Sequence, residues 1–415
     1  MAVSDRPSPS RRQFLQRAAL LAGGTPALMM FLDACAKGDQ TSSSATSMKV
    51  ASPDKPVTWD IAKDNEPIAA GLAPEKATTL QLYSYADYVS PDAVKSFEEK
   101  YGTTVQVSTF NDTDEAITKI RAGSVDYDVF FPSYDQIGKL VNGALLRPLN
   151  HSYIPNIKNV WPVFTNPFYD QQWRYTTPYT VYTTGIGWNN TVVPADIGAL
   201  KNPYESLWDP AYKNKTAVID DWHTAMSMVL LKLGITDVNT SSADNLKQVG
   251  EQLTALVGAT SPKVTITMYT DVPTGQIGLT QMWSGDIINA QNYLPEGGTA
   301  EVLRYWFPAD GKGLVDNDLM VILRGGKNPV LSHLFINHML ETESARQNFK
   351  QIGYQPPQVS MSPDSLVADG FVAENIKSAI VRPEYYDVGY RILELEPDND
   401  AAWHNVWRAF KAGGS

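Results

Sequence analysis

The sequence predicts an α/β fold with mainly parallel strands, divided into two domains. Strand-like and helix-like runs alternate along the chain, the pattern of strand–helix units packed on a parallel sheet. The part able to fold, from about Thr79 to the end of the 415 residues, is too long for one ordinary domain and suits two. The chain holds a single cysteine, so no intramolecular disulfide is available and stability must come from buried apolar cores.

The chain opens with Ser10-Arg11-Arg12-Gln13-Phe14-Leu15-Gln16-Arg17, then an apolar stretch from Ala18 to Leu32. A basic segment before a short apolar run is a targeting sequence, and Gly23, Gly24, Thr25 and Pro26 dilute it too far for a spanning helix. Arg11-Arg12 followed by Phe14-Leu15 matches the twin-arginine address. The run ends in Leu32-Asp33-Ala34-Cys35, which resembles the lipobox of bacterial lipoproteins, where the cysteine is acylated after cleavage. Asp33 is an uncommon neighbour for such a site. Residues 1–34 are therefore expected to be a signal peptide, and Cys35 the lipidated first residue of an exported protein. Residues 36 to about 55 are small and polar and read as a flexible tether. The stretch to residue 78, with Pro56 and Trp59, is expected to wrap the folded part without regular structure.

From there the elements follow in order. Leu80–Tyr83 reads as a strand. Ser90-Pro91-Asp92 starts a helix with Val94, Phe97 and Tyr101 on one face and Gly102 as its stop. Thr104–Thr109 is a second strand, Asp112–Arg121 a second helix, and Tyr127–Phe131 a third strand, ending at Pro132-Ser133 before another helix. Ala217–Asp221 leads into a helix over Thr224–Leu233, and Ile277–Trp283 into one over Asp286–Gln291. Leu319–Leu323 is the last strand, followed by helices at Pro329–Leu340 and Glu343–Gln351. Near the end, Ala402-Trp403, Val406-Trp407 and Phe410 recur with helical period and read as a face docked on the second domain.

Ligands of parallel α/β sheets bind beyond the C-terminal ends of the strands, so the junctions decide where chemistry is sought. The first strand ends in Ser84-Tyr85-Ala86-Asp87-Tyr88 and the third in Ser133-Tyr134-Asp135. Later junctions supply Asp220-Asp221-Trp222, Trp283-Ser284-Gly285-Asp286 and Asp316-Asn317-Asp318. A carboxylate beside an aromatic or hydroxyl group recurs at nearly every one. Such a cleft suits a ligand with separated ammonium groups, since carboxylates pair with the charges and rings cover the methylenes, each cation–π contact adding roughly 0.5–2 kcal/mol. Taken singly, Asp87, Asp221 or Asp286 reads as well as a helix N-cap, and Tyr85, Tyr88 or Trp283 as a core ring. Their joint occurrence carries the reading.

The same blocks resemble the extracytoplasmic polyamine-binding proteins of ABC importers, the spermidine/putrescine receptors. The likeness runs from about Thr79 to the C-terminus through Tyr85-Ala86-Asp87-Tyr88, Tyr127-Asp128-Val129-Phe130-Phe131-Pro132-Ser133, Ile186-Gly187-Trp188-Asn189, Leu207-Trp208-Asp209-Pro210-Ala211-Tyr212-Lys213, Met282-Trp283-Ser284-Gly285-Asp286 and Ile352-Gly353-Tyr354-Gln355-Pro356. It implies a two-lobe periplasmic-binding-protein-like fold of type II with a hinge between the lobes. Residues 79–181 plus 318–365 would form lobe 1, and 182–317 plus 366–415 lobe 2, after a leader (1–34) and an anchored linker (35–78). It implies a monomeric receptor without cofactor or metal, whose partners are a polyamine or similar organic cation and the permease subunits in the membrane. By position, Tyr85 stands where the family has a tryptophan against the polyamine chain. Asp87 matches an acidic group near one amine, Tyr88 an aromatic wall and Ser133 a hydroxyl. Asp221 matches a second-lobe carboxylate, Trp283 a stacking ring and Asp286 an amine-binding aspartate. Counting back from Lys327-Asn328, Asp318 falls on the family's central aspartate, and Tyr354 on a ligand-contacting tyrosine. Thr224 replaces a glutamate of spermidine-type members, Asp316 a stacking aromatic and Asp135 a tyrosine, while Tyr385 falls near a polar contact.

Other functions fit less well. The chain has 45 acidic and 34 basic side chains, net −11, which disfavours nucleic acid and anionic membranes. A secreted hydrolase with paired carboxylates is one alternative, yet no Gly-x-Ser-x-Gly elbow, Walker loop or His-Glu-x-x-His is present, and the five histidines are scattered. The other is a receptor of the same fold for another organic cation, an amino-acid derivative, an opine or a ferric complex. An anionic ligand would want arginines at the junctions, which carry none, and a ferric one converging tyrosines, for which Tyr385-Tyr386 is the candidate.

Overall fold

A computed structural model describes residues 49–123 and 126–413. The leader, Cys35 and most of the tether lie outside the described residues. The elements in chain order are β1 (Thr79–Tyr85), α1 (Pro91–Tyr101), β2 (Thr104–Phe110), α2 (Thr113–Arg121), β3 (Val129–Phe130), α3 (Ile137–Asn142) and β4 (Thr176–Asn189). They continue with β5 (Thr216–Ile219), α4 (Trp222–Lys232), α5 (Ala243–Thr260), β6 (Lys263–Thr265), α6 (Met268–Asp271), β7 (Leu279–Trp283), α7 (Ser284–Asn289) and β8 (Leu303–Trp306). The last are β9 (Leu314–Ile322), α8 (Pro329–Met339), α9 (Thr342–Ile352), α10 (Tyr385–Val388) and α11 (Pro397–Gly413).

The local rules act where the sequence places them. Ser90 caps α1, accepting from the Ala93 N–H at 3.4 Å, and Pro91 fills the first helical position, where no amide partner is needed. Gly102, at φ +62°, closes the helix by donating to the Glu98 carbonyl. Asp112 caps α2 through the Glu115 N–H at 2.7 Å.

The sheet runs β2-β1-β3-β9-β4-β7-β5-β6, with β8 also on β4. Parallel pairing holds at the two flanks, β1 with β2 and β3, and β5 with β6 and β7. The expectation of mainly parallel strands fails in the middle. β9 is antiparallel to β3 and β4, and β4 is antiparallel to β7 and β8. The reason is connectivity: the chain passes from one flank to the other along β4 and returns along β9. Thr176–Thr184 of β4 pairs with β9, and Thr184–Trp188 with β7, so one buried strand serves both lobes. Pro178 cannot donate to the ladder, and the register shifts just after it. Residues from Tyr390 onward form a third crossing, with Tyr390 donating to the Gly313 carbonyl at 2.8 Å and its carbonyl accepting from Val315.

Several sequence expectations change here. β3 is two residues long instead of five, although the Asp128 and Phe131 N–H groups still donate to the Gln81 and Tyr83 carbonyls, and the Asp128 carboxylate is a structural tie. It accepts from the Gln81 N–H at 2.8 Å and from the Asn328 N–H and Nδ2 at 2.9 Å each. β9 begins at Leu314, so Asp316-Asn317-Asp318 is strand and not loop. β4, α5, β6 and β8 lack any sequence reading.

Residues 49–78 cross the first lobe without helix or strand. Trp59 is buried there and donates from Nε1 to the Tyr169 carbonyl at 2.8 Å. Glu75 accepts the Val330 and Leu331 N–H groups at 3.0 and 2.9 Å, capping the start of α8. In the second lobe, α11 lays Trp403, Trp407 and Phe410 into a core with Leu246, Val249 and Leu253 of α5 and Met226 of α4. Trp403 is fully buried and donates from Nε1 to the Thr240 carbonyl at 2.9 Å.

Trp403→Ala is expected to cost about 3–5 kcal/mol of unfolding free energy, the range for truncating a buried aromatic. A urea titration followed by far-UV circular dichroism measures it, and a loss under about 1 kcal/mol would mean that α11 is not an integral part of the second lobe.

Candidate ligand-binding cleft

The C-terminal ends of β1, β3, β5 and β7 converge with the middle of β9 on one cavity of about 360 Å³. That lies within the ~300–1,000 Å³ typical of small-molecule clefts. Tyr85, Asp87, Tyr88, Ser133, Asp221, Trp283, Asp286, Asp318 and Tyr354 all line it, as do Asp135, Thr224 and Asp316. Tyr385 does not. Its ring stands 5.5 Å from that of Phe307 and against Gly311. Tyr386 next to it is buried and donates to the Asp316 carbonyl at 2.6 Å, so the pair does not converge on one point.

Asp318 is buried on β9 and accepts from Tyr88 Oη at 2.7 Å and Tyr182 Oη at 3.0 Å. Tyr88 comes from the β1 end and Tyr182 from β4, so this carboxylate joins three parts of the sheet. Burial holds both phenols well above their usual range, which keeps them protonated as donors. Asp316, two residues earlier on the same face, accepts from Tyr134 Oη at 2.9 Å. Asp286, in the first turn of α7, accepts from Tyr354 Oη at 2.8 Å through Oδ1, while its buried Oδ2 has no hydrogen-bond partner among the described residues. Burial pushes all three carboxyls up to about 7, against the pull of their tyrosine donors. Asp221 caps α4 through the Thr224 N–H at 2.8 Å, and burial lifts it to about 6. Asp135 accepts from Ser133 Oγ and Gln136 Nε2 and is also raised by burial.

Asp87 is different. It is exposed, sits at φ +52° in the turn after β1, and accepts from Tyr269 Oη at 3.1 Å and Tyr293 Oη at 3.4 Å, side chains of the other lobe. The turn it makes brings Tyr88 under the cleft, where its ring meets Tyr354 edge-on at 5.0 Å and Tyr85 at 5.7 Å. Tyr354 itself needs Gly285. A Cβ there would lie 2.3 Å from the Tyr354 ring, and one at Gly353, φ +75°, would lie 2.4 Å from the Asn289 nitrogen. The Trp283-Ser284-Gly285-Asp286 and Gly353-Tyr354 blocks are thus two halves of one contact. His223 lines the cleft as well, but burial holds it far down, at about 3, stacked 4.7 Å from Trp222 as a neutral ring.

Sequence reasoning left out Tyr134, Tyr182, Tyr269 and Tyr293. Tyr134 lies between two chosen residues and was readable from that position. The signal for Tyr182 was the run Tyr179-Thr180-Val181-Tyr182-Thr183, dense in β-formers. Tyr269 follows the end of β6, a three-residue strand the sequence did not reveal, and Tyr293 sits outside any strand end.

The sequence pattern of the bacterial extracellular solute-binding proteins matches residues 92–374. The putrescine/cadaverine-binding protein of Pseudomonas aeruginosa is 28% identical over 306 residues, 71% of this chain and 84% of that one. The spermidine/putrescine-binding periplasmic protein 1 of Haemophilus influenzae is 29% identical over 283 residues, 66% and 74% of the two chains. The crystal structure of the spermidine/putrescine ABC transporter substrate-binding protein of Streptococcus pneumoniae superimposes with a TM-score of 0.64 at 26% identity, over 82% of this chain and 100% of that one. The fold is the two-lobe, type II periplasmic-binding-protein fold.

Tyr88→Phe removes a donor that favours the ionised form of Asp318, so the carboxyl, at about 7 in the native protein, should titrate at higher pH. Carboxyl-labelled NMR of the ligand-free protein reads this directly, and an unchanged or lower midpoint would remove the Tyr88 bond from the account of the site.

Proposed function

The chain belongs to the bacterial extracellular solute-binding proteins, and on that premise we propose that it captures a polyamine, putrescine or spermidine, between its lobes and delivers it to an ABC permease. One observation carries this reading. Asp286, Asp316 and Asp318 are buried in a cleft walled by tyrosines and Trp283, and among the described residues none of them has a hydrogen-bonded cationic partner. Buried carboxylates without a counter-charge are costly. A ligand of ammonium groups on a methylene chain supplies that charge, and the rings of Tyr85, Tyr88, Trp283 and Tyr354 cover its carbons. Asp87, Asp221, Ser133, Asp135 and Thr224 complete the proposed contact set. Closure over the ligand buries the charges further, so ligand and closed form favour each other.

The reading extends to location. An extracytoplasmic receptor must be held near its permease, and lipid on Cys35, followed by the polar tether, provides that. Cys35→Ala should move the protein from the membrane fraction to the soluble extracytoplasmic fraction, and continued membrane association would remove the acyl anchor from the proposal.

Calorimetric titration of the full chain, first stripped of bound ligand, tests the ligand class with putrescine, spermidine and spermine; absence of heat with all three would sink it. The raised carboxyls add a linkage. Near and below pH 7 they carry protons in the ligand-free cleft, and a bound dication stabilises their ionised forms, so binding releases protons. Ammonium groups of this kind titrate near 10 and stay charged throughout. Putrescine affinity should therefore fall by about tenfold per pH unit for each proton released as pH drops below about 7. Heats at pH 6 should depend on the buffer's ionisation enthalpy, and heats at pH 8.5 should not. Buffer-independent heats at pH 6 would contradict the coupling.

A further inference from the structure

The carboxylates are unevenly shared between the two ends of the cleft. One end holds a single buried carboxylate, Asp286, tied to Tyr354 through Oδ1, with a buried Oδ2 that has no partner among the described residues; the exposed Asp87 lies beyond it, with Tyr269 near both. The other gathers Asp316, Asp318, Asp135 and Asp221. Asp316 and Asp318 occupy alternate positions of β9. Ser133 forms a backbone bridge with Asp318, Tyr134 reaches Asp316, and Asp135 follows directly, which fixes Asp135 beside both. Asp221 faces them from the N-terminus of α4, and Asp135 and Asp221 each make Asp318 harder to ionise. Between the ends lies a sleeve of rings. Tyr354 stands 5.0 Å from Tyr88 and 5.7 Å from Tyr182, the two phenols that donate to Asp318.

The cations near the crowded end make their hydrogen bonds to other groups: Lys411 and Arg408, which line the cleft, donate to Asp220 at 3.0 Å and to Asn405 Oδ1 at 2.7 Å, and Lys139 eases the ionisation of Asp135 without a hydrogen bond to it. Lys139 Nζ lies 3.2 Å from Asp114 and 3.8 Å from Asp400, and the imidazole of His404 also faces those two carboxylates. The Arg391 guanidinium lies 4.1 Å from the centre of the Tyr386 ring and donates to the Tyr386 carbonyl at 3.2 Å. It eases the ionisation of Asp316 from a distance but makes no hydrogen bond to that carboxylate.

We propose that the cleft selects a triamine over a diamine, taking two ammonium groups a few carbons apart at the Asp135, Asp221, Asp316 and Asp318 end and a third at Asp286. The inference rests on the polyamine reading and adds the number and placement of charges. Alternate residues of an extended strand stand roughly 7 Å apart, comparable to two ammoniums bridged by three or four methylenes. A single ammonium at that end leaves carboxylates uncompensated in a buried setting, and they must then hold protons. A second ammonium replaces those protons with charge-assisted hydrogen bonds.

Calorimetry of the full chain at pH 7.5 with spermidine, putrescine and agmatine separates the possibilities. Spermidine should bind at least about tenfold more tightly than putrescine, the scale of one added charge-assisted hydrogen bond. Agmatine, whose guanidinium offers more donors but one charge, should bind no better than putrescine. Asp316→Asn should cost spermidine about tenfold and putrescine by a clearly smaller factor, and Asp286→Asn should weaken both alike. Asp135→Asn leaves the Tyr134 bond to Asp316 in place and gives the same comparison if the Asp316 variant does not fold. Putrescine as tight as spermidine, agmatine tighter than spermidine, or equal losses in Asp316→Asn would overturn the triamine assignment alone. No binding of any of the three would overturn the polyamine reading, and this assignment with it.

Discussion

The antiparallel pairing of β4 with β9 is the constraint on which the rest of the molecule depends. Each strand is buried along its whole length, and together they are the ground both lobes share. Asp316 and Asp318 point into the cleft because β9 must pass there to regain β3, and Tyr182 meets Asp318 because β4 lies beside it. A pair of carboxylates in the middle of a buried strand is unfavourable for folding. The tyrosine hydroxyls that hold them offset part of the cost and leave the carboxyls poised near neutrality. Under the proposed function, binding strength and folding cost would sit in the same few residues.

The flanks of the fold were legible because they obey local rules. Ser90, Pro91 and Gly102 start and stop α1 by capping and conformation alone, and Asp112 does the same for α2. The centre was not, because its residues answer to distant partners. Gly185 and Gly187 look like strand breakers, yet a Cβ at Gly185 would lie 2.1 Å from the Trp306 carbonyl oxygen and one at Gly187 2.4 Å from Met282 Sδ. They are glycine so that β8 and β7 can pack close on β4. Asp316-Asn317-Asp318 reads as a polar loop for a similar reason. What makes it strand is Tyr134, Tyr88, Tyr182 and Tyr169, the last accepting from Asn317 Nδ2 at 3.1 Å.

For the site, the ambiguity between capping and binding resolves residue by residue. Asp112 and Asp221 are both caps, and both also line the cleft. Asp87 caps nothing, since Ser90 takes that role, and its carboxylate instead meets two phenols of the opposite lobe. Asp286 lies inside the first turn of α7, free of any cap bond. Local spacing could nominate these four but not tell them apart, because a cap is decided by one backbone N–H three residues on, and a cleft by the whole sheet.

The strand order has a consequence for how the chain is made. β3 pairs with β9, whose residues come nearly at the end of the sequence order, while β1 and β2 are complete early. Until Leu314–Ile322 has been synthesised, the first lobe keeps one open sheet edge, and its core lacks Leu319 and Val321. Closing such a distant pairing is slow, and an exposed edge in the meantime invites association with other chains. The N-terminal lobe, although first off the ribosome, is thus finished only after β4 to β8 have emerged, and β3 keeps an unpaired edge through all of that synthesis.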